Sequence, residues 1–559
     1  MNELDYVILI AIIIIIVNVA AVIKKRRSIK KLRQTLEMKW GKKPDEKYRD
    51  EDMTAVRSYY ENLKEKDCGR LFLDDITWND LEMDKVFMRL NSTQSTAGEE
   101  YLYALMREPL TDCAVLDERR RLIQFFQTNP SERRQLQFLF ARLGKSRFSG
   151  VSNYFLSSAE YKPFRHYKYI SLVIVLVLSP VLMVFNLNAG ILLLIASFIA
   201  NMTTYYKAKN EFSAQLDSMS YMVNLINYSR KAANFDIPEL KEYTDRLKNN
   251  ALKFKGTGIK SFYQIFYNTQ DPYFEYFKII FLVELIAYES INKKIIRHRN
   301  ELRTLYETIG LLDSMLAAAS FRESVPFYTA PDMYTADKKR RPSISFKEIY
   351  HPMVDEPVTN SLSINRPALI TGSNASGKST FLKTAAINAI FAQTISTCLA
   401  SKYESSYFRI YTSMALKDDL LHRESYYIAE IRSLKRILDS LNDQYPLFCV
   451  IDEVLRGTNT IERIAASSEV MRYLSGKNCI CLTATHDIEL VSILDGLFDN
   501  YHFQESFVGN TITFDYKIYP GKSNTRNAIK LLEIMGYPED TVKAARSNAE
   551  RFEQKGGWV

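Results

Sequence analysis

From Pro367 to Ile390 the chain reads PALITGSNASGKSTFLKTAAINAI, and this stretch limits the fold more than any other. An apolar strand pattern, Ala368 to Ile370, runs into a G-x-x-x-x-G-K-S loop, Gly372 to Ser379, and a helical pattern follows from Thr380. Strand, glycine loop and helix in that order form a phosphate cradle. Gly372 and Gly377 let the backbone curl so that its N–H groups face anionic oxygens. The helix N-terminus adds partial positive charge. In such a loop Gly372, Ser373, Asn374, Ala375, Ser376, Gly377, Lys378, Ser379 and Thr380 surround the phosphates of ATP. Lys378 is then expected to reach the β and γ phosphates, and the Ser379 hydroxyl to ligate Mg²⁺.

A second apolar run, Leu447 to Ile451, ends in Asp452 and Glu453. Continuous apolar character suits a strand buried on both faces of a parallel sheet. Asp452 is expected to hold Mg²⁺, directly or through water, and Glu453 to polarise the attacking water as a general base. A third run, CICLTATHDIEL, ends in Thr485, His486 and Asp487, and His486 is placed to sense the γ-phosphate.

Residues 6 to 23, YVILIAIIIIIVNVAAVI, form an uncharged run of 18, close to the minimum for a membrane span. KKRRSIKKLR follows at 24 to 33 with seven positive charges, which sets that end in the cytoplasm. A cleaved signal peptide is the competing reading, but its basic residues would precede the apolar core. The 38 uncharged residues between Lys168 and Lys207 would span about 57 Å as one helix, against about 30 Å for a bilayer core. Two spans with a turn near FNLNAG, 185 to 190, use the length, and Asn188 then lies on the external side. A buried soluble hairpin is the alternative. The shorter run IIFLVELIAY, 279 to 288, contains Glu284 and reads as a core helix.

The remaining length reads as mostly helical over 34–165 and 207–320, where Gly and Pro are sparse. Lys293, Lys294, Arg297 and Arg299 read as a solvated helix face. The net charge of +9 falls to +2 without the 24–33 cluster, so global charge lends little support to nucleic-acid binding. Six scattered cysteines lack metal-ligand spacing and fit a reducing compartment.

TGSNASGKST, DEVLRGTNT at 452–460, ATH at 484–486, YHP at 350–352 and PGKSNTRNAI at 520–529 together resemble blocks of the MutS family of DNA mismatch-repair ATPases, within the ABC-type ATPases. The resemblance is strong over about 345–550, and LLDSMLAAASF, 311–321, is similar to the end of that family's helical core. It implies ATP and Mg²⁺ as cofactors and a dimer with two composite sites. Each site would use one subunit's phosphate loop and the other's signature serine, here Ser425. The family's glycine before that serine and threonine after it are Arg423 and Tyr426 here. Gly457 to Thr460 would cross the dimer interface, and a helix over 534–554 would correspond to dimerisation helices. Tyr350 and His351 are candidates to stack on the adenine.

The family's mismatch readers wedge a Phe beside a Glu into DNA from an N-terminal domain. No Phe-x-Glu stands in a plausible N-terminal domain here, and Phe346-Lys347-Glu348 and Phe503-Gln504-Glu505 read as coincidental. The expected architecture is an α/β P-loop ATPase domain of ABC/MutS type at the C-terminus, preceded by a mostly α-helical core with transmembrane helices. Its parts are an anchor with basic segment (1–33), a helical region (34–165), a transmembrane hairpin (166–208), a helical core (209–344) and the ATPase domain (345–559). The expected activity is ATP hydrolysis in a dimer at the cell membrane, with the ATPase domain cytoplasmic and double-stranded or branched DNA as client. An ATP-driven mechanical membrane protein without a DNA role is the alternative. A transporter is weaker, since Asn18 is an isolated polar group within the spans.

Overall fold

The structure is a computed structural model of the 559-residue chain. It describes residues 3–45, 48–67, 69–146, 150–156, 166–255, 272–337, 340–373, 375–414, 426–441, 444–456, 458–508, 511–522 and 528–555. Asn374, Arg423, Ser425 and Gly457 lie outside these, as does the side chain of Tyr426.

Helices come first in chain order. They are α1 (Glu3–Lys39), α2 (Asp50–Lys66), α3 (Asp75–Asp80), α4 (Met83–Leu90), α5 (Thr96–Arg107), α6 (Cys113–Thr128), α7 (Pro130–Leu143) and α8 (Asn153–Leu156). The pair α9 (His166–Phe185) and α10 (Leu187–Ala232) follows, then α11 (Lys241–Leu252), α12 (Pro272–Ile280), α13 (Val283–Arg297) and α14 (Arg299–Glu323). The chain divides into two compact units. One comprises Met1–Arg70, Leu90–Glu108 and Arg121–Ser324; the other comprises Leu71–Arg89, Pro109–Arg120 and Val325–Val559. The expected boundary at 345 thus differs from the observed one, because 71–89 and 109–120 belong with the C-terminal unit.

In the first unit α5 packs closely on α14. A Cβ on Gly310 would stand 2.6 Å from Tyr101 Cβ and 2.8 Å from the Ala97 carbonyl oxygen, so only glycine admits this approach. The buried Asp313 carboxylate accepts from the backbone N–H of Gln94 and Ser95 and from Ser95 Oγ at 2.6–3.1 Å. Ser95 in turn caps α5 by accepting from Gly98 N–H.

The 6–23 run lies within α1, which continues unbroken through the basic cluster to Lys39. Most of its side chains before residue 19 fall outside the described residues. Two helices among the described residues are long and apolar enough to cross a membrane, Tyr167–Phe185 and Leu187–Asn210, and only 17% of each is buried. The turn between them falls at Asn186, whose side chain accepts from Ala189 N–H and caps α10. Gly190 lets the two helices meet: a Cβ there would lie 2.5 Å from the Met183 backbone. The 279–288 run is not one core helix. It breaks after Ile280, with Leu282 left-handed at φ 47°, and Leu282 and Leu285 are buried against Tyr169 of α9 and Tyr205 of α10.

The second unit holds β1 (Asp332–Tyr334), β2 (Ile344–Ile349), β3 (Asn360–Ile364), β4 (Ala368–Thr371), α15 (Lys378–Thr394), β5 (Lys402–Ser406) and β6 (Arg409–Ser413). It continues with α16 (Tyr426–Asp439), β7 (Leu447–Asp452), α17 (Thr460–Ser475), β8 (Cys479–Ala484), α18 (Ile488–Ile493), β9 (Asp499–Val508) and β10 (Thr511–Pro520). A small sheet has the order β1-β5-β2-β3, and the large one β10-β9-β4-β8-β7-β6. Every pairing in the large sheet is parallel except β9–β10. All residues of β4, β7 and β8 are buried, as their unbroken apolar runs require. The helix expected over 534–554 is α20 (Glu539–Lys555), and a short helix, α19 (Ala528–Ile534), precedes it. The turn between them carries Gly536 at φ 79°, a conformation that ends a helix.

Candidate functional site

In an open parallel sheet, ligands bind at the C-terminal ends of the strands. Here β4, β8 and β7 lie side by side, and Gly372, Thr485 and Glu453 follow directly on their C-terminal ends. Gly372 (φ 142°) and Gly377 (φ 101°) take conformations that side chains rarely adopt. A Cβ on Gly372 would also stand 2.8 Å from the Phe503 carbonyl oxygen. Ser376 stiffens the loop by donating its hydroxyl to the Ser373 carbonyl at 2.7 Å. Gly377 begins α15, and Ser379 and Thr380 stand in its first turn, where backbone N–H groups have no partner within the helix.

Lys378 is buried, and its ammonium donates to the carbonyls of Gly372 (2.6 Å) and Ser373 (2.8 Å). Burial pushes it down to about 8, against the raising fields of Asp452 and Glu453. Its Nζ also lies 3.3 Å from His486 Nε2, and that nitrogen is 2.9 Å from Glu453 Oε1. The other Glu453 oxygen pairs with Arg456. Burial raises the Glu453 carboxyl, but the His486 hydrogen bond and the charges of Arg456, His486 and Lys378 outweigh it and hold the group below its ordinary value. The Glu453 backbone is left-handed at φ 59°, and its N–H donates to the Ala484 carbonyl at 2.9 Å. That bond ties the end of β7 to the end of β8.

Lys378, Glu453 and His486, which come from three separate motifs, therefore meet at one place. Asp452 is buried at the end of β7, across β8 from the strand that leads into the loop. The residues fit a Mg²⁺-nucleotide: the two glycines leave a cradle that side chains would fill, and Ser373 Oγ is buried without a hydrogen-bond partner among the described residues. Ser379 and Asp452 are the oxygen donors suited to the metal.

Tyr350 does not serve as a stacking platform. It is buried, its hydroxyl donates to the Phe327 carbonyl, and its ring packs on Phe327 with centroids 4.9 Å apart. His351 is pushed down to about 4 by burial and the charge of Lys383, and its Nδ1 accepts from Met353 N–H. Three features were missed from sequence. Tyr516, 45% exposed and left-handed at φ 54°, sets its ring beside the loop, with Cδ1 3.2 Å from where a Gly377 Cβ would be. Arg463 on α17 grips Asp487 with two hydrogen bonds (2.6 and 3.1 Å), steadying the turn that carries His486. Arg456 pairs with Glu453 through side chains and donates its backbone N–H to Glu430. Only Arg456 had a signal, its place within DEVLRGTNT. Phe503 faces the core against Phe381, which accounts for the second Phe-x-Glu triplet.

A glycine phosphate loop at a parallel strand end, with carboxylates closing a nearby strand, defines a P-loop ATPase-type α/β domain, here following a helical region. Residues 368–553 match the family model of MutS domain V. The chain is 30% identical over 275 residues to MutS protein homolog 4 of Homo sapiens, covering 45% of this chain and 28% of that protein. It is 27% identical over 288 residues to the DNA mismatch repair protein MutS of Methanosarcina mazei, covering 49% and 31%. Over its C-terminal third the chain thus carries a match to MutS domain V and is similar to MutS proteins. It spans less than a third of the length of these relatives.

Proposed function

We propose that this chain is a membrane-anchored MutS-type ATPase that binds and hydrolyses Mg²⁺-ATP as a dimer, with DNA as its client. The observation that carries the catalytic part is the chain of contacts Lys378 Nζ, His486 Nε2 and Glu453 Oε1, at 3.3 and 2.9 Å, beside the glycine loop. Bound Mg²⁺-ATP supplies the scissile phosphoanhydride and the metal's charge. Lys378 exchanges the Gly372 and Ser373 carbonyls for phosphate oxygens. Glu453 accepts the proton of the attacking water, for which one of its oxygens leaves Arg456 or His486. His486 Nε2 either donates to Glu453 or accepts from Lys378, because one nitrogen cannot do both. It thus relays whether Lys378 is engaged. Tyr516 offers the adenine a flat ring beside the loop. Ser425 of one subunit would complete the other's site, as the resemblance implies.

DNA as client rests on the relatives, one of which is named a DNA mismatch repair protein. A mechanical membrane role without DNA is favoured by one observation, the long apolar hairpin of which 17% is buried. The full chain in detergent should hydrolyse ATP, and Glu453→Gln should keep nucleotide binding while losing most turnover. Persisting turnover removes Glu453 as the base. Stimulation by branched or mismatched DNA, falling steeply with salt, supports the DNA client. No response at low salt leaves the mechanical role.

A further inference from the structure

We infer that the elbow joining α12 to α13 is a re-entrant membrane element, a wedge that enters the bilayer beside the hairpin without crossing it. The inference rests on the hairpin reading above and adds to it a segment that hydropathy passes over.

Depth is the first observation. Asn201 of α10 donates its amide to the Ile280 carbonyl at 2.8 Å. It lies six residues before Lys207, about 9 Å further along the helix and away from the charged end. Leu172 and Val173 of α9 pack in the same cluster as Leu282 and Leu285. They stand four and five residues past Lys168, about 6–8 Å beyond the other charged end. Two helices thus place the elbow at matching depth inside the apolar zone, short of the middle of a core about 30 Å thick.

Chemistry is the second. A helix break in lipid is tolerated only where protein satisfies the freed backbone groups. Here the Ile280 carbonyl takes the Asn201 amide, and the N–H groups of Phe281 and Leu282 donate to Phe277 and Ile279. Ionisable groups at such depth turn inward and pair. Lys278 and Glu284 are 3% and 6% exposed and 3.7 Å apart, and Tyr205 of the hairpin donates to Glu284 at 2.8 Å. Two aromatic rings meanwhile turn outward: Tyr276 is 63% exposed and Phe277 45%. A soluble surface would show the reverse arrangement, with the aromatics inside and the charges outside. Aromatic rings of this kind suit the zone just inside the headgroups.

The test uses the full chain in phosphatidylcholine–phosphatidylglycerol vesicles, with Cys68 and Cys113 replaced by Ser. An environment-sensitive fluorophore is attached at Phe277→Cys, at Leu192→Cys in the hairpin, or at Ile461→Cys on exposed α17. Lipids brominated near the headgroup end or near the chain end serve as quenchers. Strong quenching is expected at 277, larger with the shallow bromines, and none at 461. Tyr276→Cys repeats the measurement should the first variant fold poorly. Quenching at 192 without quenching at 277 and 276 overturns the elbow and leaves the hairpin standing. Absence of quenching at 192 as well overturns the hairpin reading and the elbow with it.

Discussion

At the scale of residues, the site stores tension in two places. Glu453 holds a left-handed backbone that costs a non-glycine residue roughly 1–3 kcal/mol. The β7–β8 tie through its N–H offsets that cost and aims the carboxylate at His486. Lys378 is a buried cation brought down to about 8 from 10.5, while phosphates favour its charged form. With its folded pKa lowered, the nucleotide-free fold carries a charging penalty that is complete below about pH 8. That penalty is relieved as pH rises towards 10.5, where the unfolded chain binds the extra proton. Nucleotide binding has the opposite trend: it should take up a proton, and affinity should fall as pH rises above about 8. Calorimetry in two buffers of different ionisation heat reads the uptake, and Lys378→Arg, which stays charged, should abolish it. Equal heats in both buffers would contradict this account. Tyr516→Ala should weaken nucleotide binding by about 1–3 kcal/mol, the usual worth of a base–aromatic stack. Titration of a fluorescent ATP analogue checks it, and unchanged affinity would place the adenine elsewhere.

At the scale of elements, close contacts decide which substitutions matter. Gly310 sits where α14 meets α5, and a methyl group there collides with the Ala97 carbonyl and the Tyr101 Cβ rather than with a movable side-chain tip. Gly310→Ala should therefore destabilise the helical unit by roughly 1–3 kcal/mol despite alanine's better helix propensity. Thermal unfolding followed by circular dichroism checks the sign; an unchanged or higher transition would refute the packing argument. The motif-bearing strands β4, β7 and β8 were legible because a buried parallel strand needs an uninterrupted apolar run. The turn at Asn186 was legible from length alone. The break at Leu282 was not, since apolar residues continue through it and the Asn201 amide that donates to the Ile280 carbonyl lies 79 residues from it. Tyr516 was hidden for the same reason: its position comes from a bulge in β10 whose backbone is held by Asn360, 156 residues earlier.

At the scale of the whole molecule, the least legible fact is that the ATPase-type unit is assembled from three stretches of chain. β6 ends the large sheet, and an open edge strand invites pairing with other chains. Its outward groups are answered by residues from far upstream. Thr412 N–H donates to Thr77 Oγ1 at 3.1 Å, and Asp80 accepts from Thr412 Oγ1 at 2.7 Å and from Met414 N–H at 3.0 Å. Asp74 pairs with Arg436 of α16, and Glu82 with Lys383 of α15 at 2.9 Å. The end of α15 is covered likewise: Arg119 donates to the Thr394 carbonyl at 2.6 Å, and Leu110 N–H to the Gln393 carbonyl at 2.8 Å. The match to MutS domain V begins only at 368, so a fragment designed from the family boundary would lack all of these partners. A fragment of residues 325–559 should accordingly aggregate or unfold at a lower temperature than the same fragment carrying 71–89 and 109–120 fused ahead of it through flexible linkers. Size-exclusion chromatography with thermal melts compares the two. Asp80→Ala in the fusion should reproduce part of the loss, because it strips two hydrogen bonds from the sheet edge while leaving the phosphate loop untouched. Equal solubility and melting of all three would mean that β6 needs no cover and that the upstream stretches only accompany the domain.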